Sequence, residues 1–126
     1  MARFYYCSIC KRLVYALDEK QTHMTCCGKD MTLLSANDTD AATEKHVPVV
    51  NVNGNVVEIV VGDVIHPMTE AHYIQWIALQ TNKGMHIKQL TPLDEPKATF
   101  ALLSDEQVIC AYEFCNLHML WKNETK

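Results

Sequence analysis

The sequence lacks any long hydrophobic run. Its longest unbroken apolar stretches, residues 13–17 and 108–112, are five residues each, whereas a membrane-spanning helix needs roughly 18 or more. The N-terminus has no apolar segment followed by a small-residue cleavage site, so no signal peptide is evident. These absences predict a cytoplasmic protein without a membrane partner.

Positive charge is also scarce. The 126 residues carry a formal net charge of −4, which argues against nucleic acid as a partner because nucleic-acid-binding surfaces usually show a basic patch. Internal repeats, low-complexity tracts and convincing helical patterns are absent too. With 48% hydrophobic and 21% charged residues, the composition is that of a folded globular protein.

Cysteine and histidine are abundant instead, with six of each. In a cytoplasmic protein this favours metal binding over disulfides. Four cysteines fall within the first 27 residues, and five of the histidines follow them. Residues 1–36 carry a net charge of +2 (five basic, three acidic), and residues 37–126 carry −6 (six basic, twelve acidic). The small, polar stretch 35–43 is typical of a linker, so we expect two domains, 1–36 and 37–126.

The second domain has a mostly β pattern. Residues 47–52 and 56–61 flank Asn53-Gly54-Asn55, a strong hairpin signal, and Pro48 puts the first of them at a sheet edge or strand start. Further strands are expected at residues 73–79, 85–90, 98–103 and 107–114. Short strands at this spacing predict an antiparallel β-sandwich. The first domain is too small for a self-sufficient core and should need a staple such as a metal.

The cysteines of the first domain form two close pairs. Cys7 and Cys10 make a CxxC, and the adjacent Cys26 and Cys27 follow after fifteen intervening residues. Four thiolates can close a tetrahedral site that either zinc or iron accepts, although adjacent ligands should distort the tetrahedron. Two disulfides or a redox CxxC are the alternatives, but no βαβ pattern surrounds this CxxC.

Three segments of the second domain bring histidine together with cysteine. They contain His46, His66, His72, Cys115 and His118. We expect them just before a strand, between strands and just after the last strand, where a sandwich displays functional groups. Imidazole suits iron, copper, zinc and nickel, and thiolate favours softer or redox-active metals. Four imidazoles and one thiolate around a divalent ion leave a positive charge and an open sixth position, which invites a small anion.

Other interpretations of these residues exist. A blue-copper carrier could use Cys115, His118 and Met119, but its axial Met normally follows several residues later and two histidines would have no role. A binding module stapled by zinc, or a dismutase, is also conceivable. Cys110 is interpreted as a buried structural thiol, and His23 and His86 as non-ligands.

Both halves of the chain resemble known families. Residues 6–10 and 25–31 resemble the desulforedoxin domain, which binds one iron through four cysteines including a vicinal pair. The motifs EKHxP, HPMxxxHYIxWI and CNLHxLW match the superoxide reductase family, and the whole chain is similar to desulfoferrodoxins, the two-iron form. This resemblance implies an all-β protein, in which a small metal-stapled desulforedoxin-like domain precedes an immunoglobulin-like antiparallel β-sandwich.

The resemblance also implies roles for individual residues. The first iron, for which zinc is a possible substitute, takes Cys7, Cys10, Cys26 and Cys27. The catalytic iron takes four equatorial histidines and one axial cysteine, namely His46, His66, His72, His118 and Cys115. Lys45 would attract the substrate anion, and Glu44 would ligate the ferric iron. Met119 is a departure, because the family commonly has Gly there.

The implied activity is that of an oxidoreductase. A ferrous site of four histidines and one cysteine would reduce superoxide by one electron to hydrogen peroxide, which detoxifies superoxide, and a donor such as rubredoxin would restore the ferrous state by electron transport. The family also implies a homodimer.

Overall fold

The computed structural model describes residues 2–20, 23–38 and 41–124 of the chain. By its internal contacts the chain divides into two compact units, Met1–Ser35 and Ala36–Lys126. The boundary expected from composition, between residues 36 and 37, is one residue from this division. Thr39 and Asp40 of the expected linker lie outside the described residues. Among the residues described, no helix has the length and apolar character needed to cross a membrane.

The first unit is built from short antiparallel strands. They are β1 (Arg3–Tyr6), β2 (Leu13–Ala16), β3 (Thr25–Cys26), β4 (Lys29–Asp30) and β5 (Thr32–Leu33). β1 lies between β2 and β5, while β3 and β4 form a separate hairpin. The buried side chains come from β1 and the residue after it: Phe4, Tyr5, Tyr6 and Cys7. Such a small core offers little stabilisation by itself.

The second unit contains one helical turn and two antiparallel sheets. The elements are α1 (Thr43–His46), β6 (Pro48–Asn53), β7 (Val56–Val61), β8 (Ile74–Thr81), β9 (Met85–Gln89), β10 (Lys97–Ala101), β11 (Val108–Cys115) and β12 (Met119–Glu124). One sheet has the order β10-β7-β6 and the other β12-β11-β8-β9. The all-β fold with an antiparallel sandwich is therefore confirmed. Pro48 is the first residue of the edge strand β6, where its missing N–H is harmless.

Alternating side chains build the core of the sandwich. Val57, Ile59 and Val61 occupy every second position of β7 and are fully buried. They belong to one apolar cluster with Ile77 and Leu79 of β8 in the other sheet. β11 lies between β12 and β8 and is buried from residue 110 to 115. The buried end of β11 is thus a rigid support for the residues that follow it.

Two elements differ from the sequence expectation. The helical turn α1 was not predicted, because four residues are too few to show a helical period. β12 was not predicted either, so the segment from Cys115 to His118 connects two strands and does not follow the last one. β12 begins at Met119, whose φ of 67° lies in the left-handed region and interrupts the alternation that marks a strand.

A polar cluster joins two loops at one end of the sandwich. The Thr81 hydroxyl donates to Glu106 Oε2, and His86 Nε2 lies 2.8 Å from the same oxygen. The Leu103 N–H donates to Glu106 Oε1 over 3.1 Å. Hydrogen bonds from Thr81, His86 and Leu103 lower the pKa of Glu106 to about 2. His86, interpreted as a non-ligand, therefore has a structural partner.

We expect Glu106→Gln to lower the thermal midpoint at pH 7 by several degrees. Glu106 uses both oxygens as acceptors, and an amide keeps only one acceptor. Because the folded pKa of Glu106 is below its unfolded value, its contribution is present above about pH 4.5 and is lost as the pH falls towards 2. The difference between variant and wild type should therefore shrink in acid.

The matched control is Glu95→Gln. Glu95 pairs with Lys97 over 3.0 Å, but its side chain is 74% exposed, and exposed ion pairs contribute little. Melting curves that move equally for Glu95→Gln and Glu106→Gln would contradict the role of the cluster.

Candidate metal centres

The four thiols of the first unit converge on one point. Their sulfurs all lie within 4.8 Å of one another, with 3.5 Å between Cys10 and Cys26 and 3.9 Å between Cys26 and Cys27. All six cysteines of the chain are free thiols. Cys7 is buried, whereas Cys10 and Cys27 are exposed, so the cluster reaches the surface of its unit on one side.

Left-handed backbone allows adjacent cysteines to serve one centre. Neighbouring side chains of an extended strand point to opposite faces, but Cys27 has a φ of 56° and Gly28 a φ of 73°. This turn between β3 and β4 swings the Cys27 sulfur back to the side of Cys26. In the CxxC turn, Lys11 has a φ of 68° and its N–H donates to the Cys7 carbonyl over 2.9 Å.

The thiols do not ionise alike. Backbone hydrogen bonding from Cys10 lowers the pKa of Cys7 to about 6. Sulfur contacts with Cys10 and Cys7 raise the pKa of Cys26 to about 12. Four thiolates this close repel one another, and a cation among them removes that penalty. The donor set therefore fits a tetrathiolate metal site.

The second cluster gathers residues from four segments of the other unit. His46 ends α1, and His66 and His72 lie between β7 and β8, where Thr69 and His72 form a short bridge. Cys115 ends β11 and His118 lies in the turn before β12. One ligand atom from each of His46, His66, His72 and Cys115 lies within 4.8 Å of the others.

The four imidazoles form a closed ring. Successive ring centroids are 4.8 Å apart for His46–His66, 4.6 Å for His66–His72, 5.2 Å for His72–His118 and 4.8 Å for His118–His46. Successive planes are steeply inclined, at 75° to 84°. Across the ring, His46 and His72 are 6.4 Å apart with planes inclined by 28°. The arrangement surrounds a single point with four nitrogens.

Hydrogen bonds decide which nitrogens face that point. His46 Nδ1 lies 2.8 Å from the Ala42 carbonyl, and His66 Nδ1 lies 2.7 Å from the Pro67 carbonyl. Because a carbonyl only accepts, both Nδ1 atoms carry the proton and both Nε2 atoms present a lone pair. The two Nε2 atoms are nevertheless 3.2 Å apart. His118 contributes Nδ1, which is 3.1 Å from His46 Nε2.

Burial keeps these imidazoles neutral. It lowers the pKa of His46 and His72 and that of His66 to about 4. The buried His72 Nε2 has no hydrogen-bond partner among the described residues. Neutral nitrogens that face one another without a proton between them are the donor set that a metal cation requires.

Cys115 supplies sulfur on the buried side of the ring. Its Sγ is 3.5 Å from His66 Nε2 and 3.9 Å from His118 Nδ1, and the residue is fully buried. Burial raises the pKa of the Cys115 thiol, while backbone N–H groups of His118 and Leu117 lower it. A metal cation would favour the thiolate further. The residues of this cluster therefore fit a metal site of four histidines and one cysteine.

Trp121, expected from sequence only as a core residue, also supports the ring. Its indole stacks on His46 with centroids 5.0 Å apart, and its Nε1–H donates to the His118 carbonyl over 2.9 Å. Met119 follows His118 with a φ of 67°, a conformation that favours glycine. This explains why the resemblance expects Gly at this position, although Met119 adopts the same backbone.

Glu44 and Lys45 lie on the solvent side. Both are exposed residues of α1, whose next residue, His46, is buried. After burial and the neighbouring imidazoles, the charge of Lys45 is a further cause that lowers the pKa of His72. His72 and His118 are half-buried. The cluster thus has a buried sulfur and a more open side that carries a positive charge.

Glu113 is a feature that sequence reasoning missed. It is fully buried in β11, and neither carboxylate oxygen has a hydrogen-bond partner among the described residues. Burial raises its pKa well above the usual value, and its charge raises the pKa of Cys115. A charged residue inside the apolar stretch before Cys115 was the available signal.

The residues interpreted as non-ligands lie apart from both clusters. Cys110 is buried, with its Sγ 3.7 Å from the Ala111 carbonyl. His23 is exposed and lies 3.4 Å from Asp30. His86 contacts Glu106 in the polar cluster.

Comparisons with known proteins agree with this fold and donor set. The desulfoferrodoxin family model matches residues 38–124. A desulfoferrodoxin homolog from Archaeoglobus fulgidus is 43% identical over 119 residues, 94% of each chain, and desulfoferrodoxin from Syntrophotalea carbinolica is 42% identical over 95% of this chain and 94% of that protein.

A solved structure shows the same fold. The superoxide reductase from Treponema pallidum superposes with a TM-score of 0.85 at 40% identity, covering 98% of this chain and 99% of the other. Shared sequence and shared architecture extend over nearly the whole of both chains. They confirm the resemblance drawn from the sequence motifs, and this chain belongs to the desulfoferrodoxin family.

Proposed function

We propose that this chain is a superoxide reductase. In the proposed reaction superoxide takes up one electron and two protons and leaves as hydrogen peroxide. The observation that carries the proposal is the ring of four imidazole nitrogens above a buried thiol. Family membership supports it, since the Treponema pallidum relative is itself a superoxide reductase.

The second unit provides the proposed catalytic centre. Its ligands are His46, His66, His72 and His118, with Cys115 below them. Ferrous iron, when bound there, would supply the electron and a position open to a small anion. Neutral imidazoles and a single thiolate leave the site with a net positive charge, which suits an anionic substrate. All four imidazoles converge, which a blue-copper site with two histidines does not need.

Buried carbonyls hold this ligand set in place. The Ala42 and Pro67 carbonyls accept the Nδ1 protons of His46 and His66 and so orient the two rings before a metal binds. Hydrogen bonds from the Leu117 and His118 N–H groups to Cys115 reduce the electron density that the sulfur donates. Such outer partners tune both the affinity and the potential of a metal site.

Glu44 and Lys45 are the proposed catalytic side chains. The Lys45 ammonium attracts the superoxide anion to the open side, and its Nζ–H groups orient the water that delivers protons. The Glu44 carboxylate is the proposed ligand of the oxidised site. Support comes from their exposure next to the buried His46 and from the effect of the Lys45 charge on His72.

The first unit provides the proposed second centre. Cys7, Cys10, Cys26 and Cys27 would bind an iron that carries electrons, and zinc could replace it. The exposed sulfurs of Cys10 and Cys27 suit exchange with an external donor of the rubredoxin type. The two domains 1–36 and 37–126, the homodimer and the cytoplasmic location stay predictions drawn from the sequence and the resemblance.

The stoichiometry of peroxide tests the proposed reaction. With a reductant present, a reductase yields nearly one hydrogen peroxide for each superoxide, whereas dismutation yields one for every two. We expect the higher yield, measured by peroxide assay during a steady supply of superoxide. A yield of half would identify a dismutase, and a protein that consumes no superoxide would favour a binding module.

We expect Cys115→Ala to remove the thiolate-to-iron absorption of the His/Cys site and to leave the absorption of the tetrathiolate site intact. The matched control is Cys110→Ala on the same strand, since Cys110 is also buried but lies outside the cluster. Optical spectra after mild oxidation, with iron analysis, make the measurement. If Cys115→Ala retained both absorption bands, Cys115 would not be a ligand.

We expect Lys45→Ala to slow the capture of superoxide by about 10-fold at low ionic strength without loss of iron, because steering by a positive charge raises association rates. The effect should weaken as salt is added. Lys88→Ala, at an exposed position of β9, makes the same charge change elsewhere and should leave the rate unchanged. Pulse radiolysis gives the rate, and equal rates for Lys45→Ala and wild type would contradict the role.

A further inference from the structure

Gly62 lies directly beneath the helical turn that carries the proposed catalytic residues. A Cβ built on Gly62 would be 2.6 Å from the Glu44 carbonyl oxygen and 2.7 Å from both the carbonyl carbon and the Cα of Lys45. These are backbone atoms, which cannot swing aside as the end of a flexible side chain can. Only a residue without a side chain fits this contact.

Backbone hydrogen bonds on both sides fix the same contact. The Gly62 N–H donates to the Val47 carbonyl over 3.2 Å, and the Val64 N–H donates to the Glu44 carbonyl over 3.0 Å. The φ of Gly62 is 81°, so the chain turns in the left-handed region just after β7. The segment that leaves β7 therefore clasps α1 from below.

The contact distinguishes Gly62 from the other glycines. Gly28, Gly54 and Gly84 also have positive φ, but a Cβ at any of them meets nothing within 4 Å. At those positions glycine serves the backbone conformation alone. At position 62 it serves the conformation and the close approach of α1.

The turn α1 depends on such a contact. It is four residues long, and its N-cap residue Ala42 makes no side-chain hydrogen bond to the helix, so it has little stability of its own. From this single turn His46 points into the ring while Glu44 and Lys45 are exposed. A displacement of the turn therefore moves all three residues together.

We propose that Gly62 is a positioning residue, whose missing side chain lets the strand end seat α1 so that His46 enters the ring and Lys45 stands beside it. The inference rests on the proposed function for the meaning of that position. The seat itself is a property of the apoprotein. Displacing a ligand through its supporting contacts typically weakens metal binding by about 10- to 100-fold.

The test compares Gly62→Ala with Gly54→Ala in the full chain. Both changes force an alanine into positive φ, and each should lower the thermal midpoint by about 4–8 °C. Only Gly62→Ala should weaken Co²⁺ binding at the His/Cys site, by about 10-fold or more, and alter its absorption spectrum. The Co²⁺ bands of the tetrathiolate site serve as an internal reference and should not change.

Equal Co²⁺ affinity and an unchanged spectrum in Gly62→Ala would overturn the proposal, whatever the fall in thermal midpoint. Because cobalt binding involves no superoxide, this result is independent of whether the wild type reduces superoxide. If Gly62→Ala does not fold, hydrogen exchange on the wild-type apoprotein decides. The Val64 amide should be protected before metal is added, and an unprotected Val64 amide would overturn the seat.

Discussion

The central constraint in this molecule is the approach of unprotonated nitrogens. Two backbone carbonyls hold His46 and His66 in tautomers whose lone pairs face each other across 3.2 Å. Burial lowers the pKa of both rings, so protonation does not relieve the repulsion at neutral pH. A metal cation does. The rest of the second unit serves to hold these atoms together.

The sandwich meets this constraint by dividing the work between rigid and irregular segments. The buried end of β11 presents Cys115, and the apolar face of β7 supports the segment that seats α1. The histidines come from a helical turn, a connection between strands and a tight turn, where the backbone can adopt the required directions. This arrangement places the thiol in the interior and leaves Lys45 in solvent, so the two sides of the centre differ in charge and access.

The first unit solves a similar problem with fewer residues. Its strands are too short for a large core, but four sulfurs lie within 4.8 Å of one another. Adjacent cysteines, expected to distort such a site, are accommodated because Cys27 takes a left-handed φ of 56°. Metal binding would then contribute stability that the small core does not provide.

Sequence alone determined the fold class, the division of chemistry between the halves and the ligand candidates, because alternation, hairpin signals and Cys and His spacings are local patterns. It did not reveal α1, β12 or the buried Glu113. Which nitrogen of each imidazole faces the centre, how Cys27 joins Cys26, and why position 62 must be glycine were decided only by the tertiary structure. Each depends on atoms far apart in the chain, such as Gly62 beneath Glu44, and such contacts leave no local pattern.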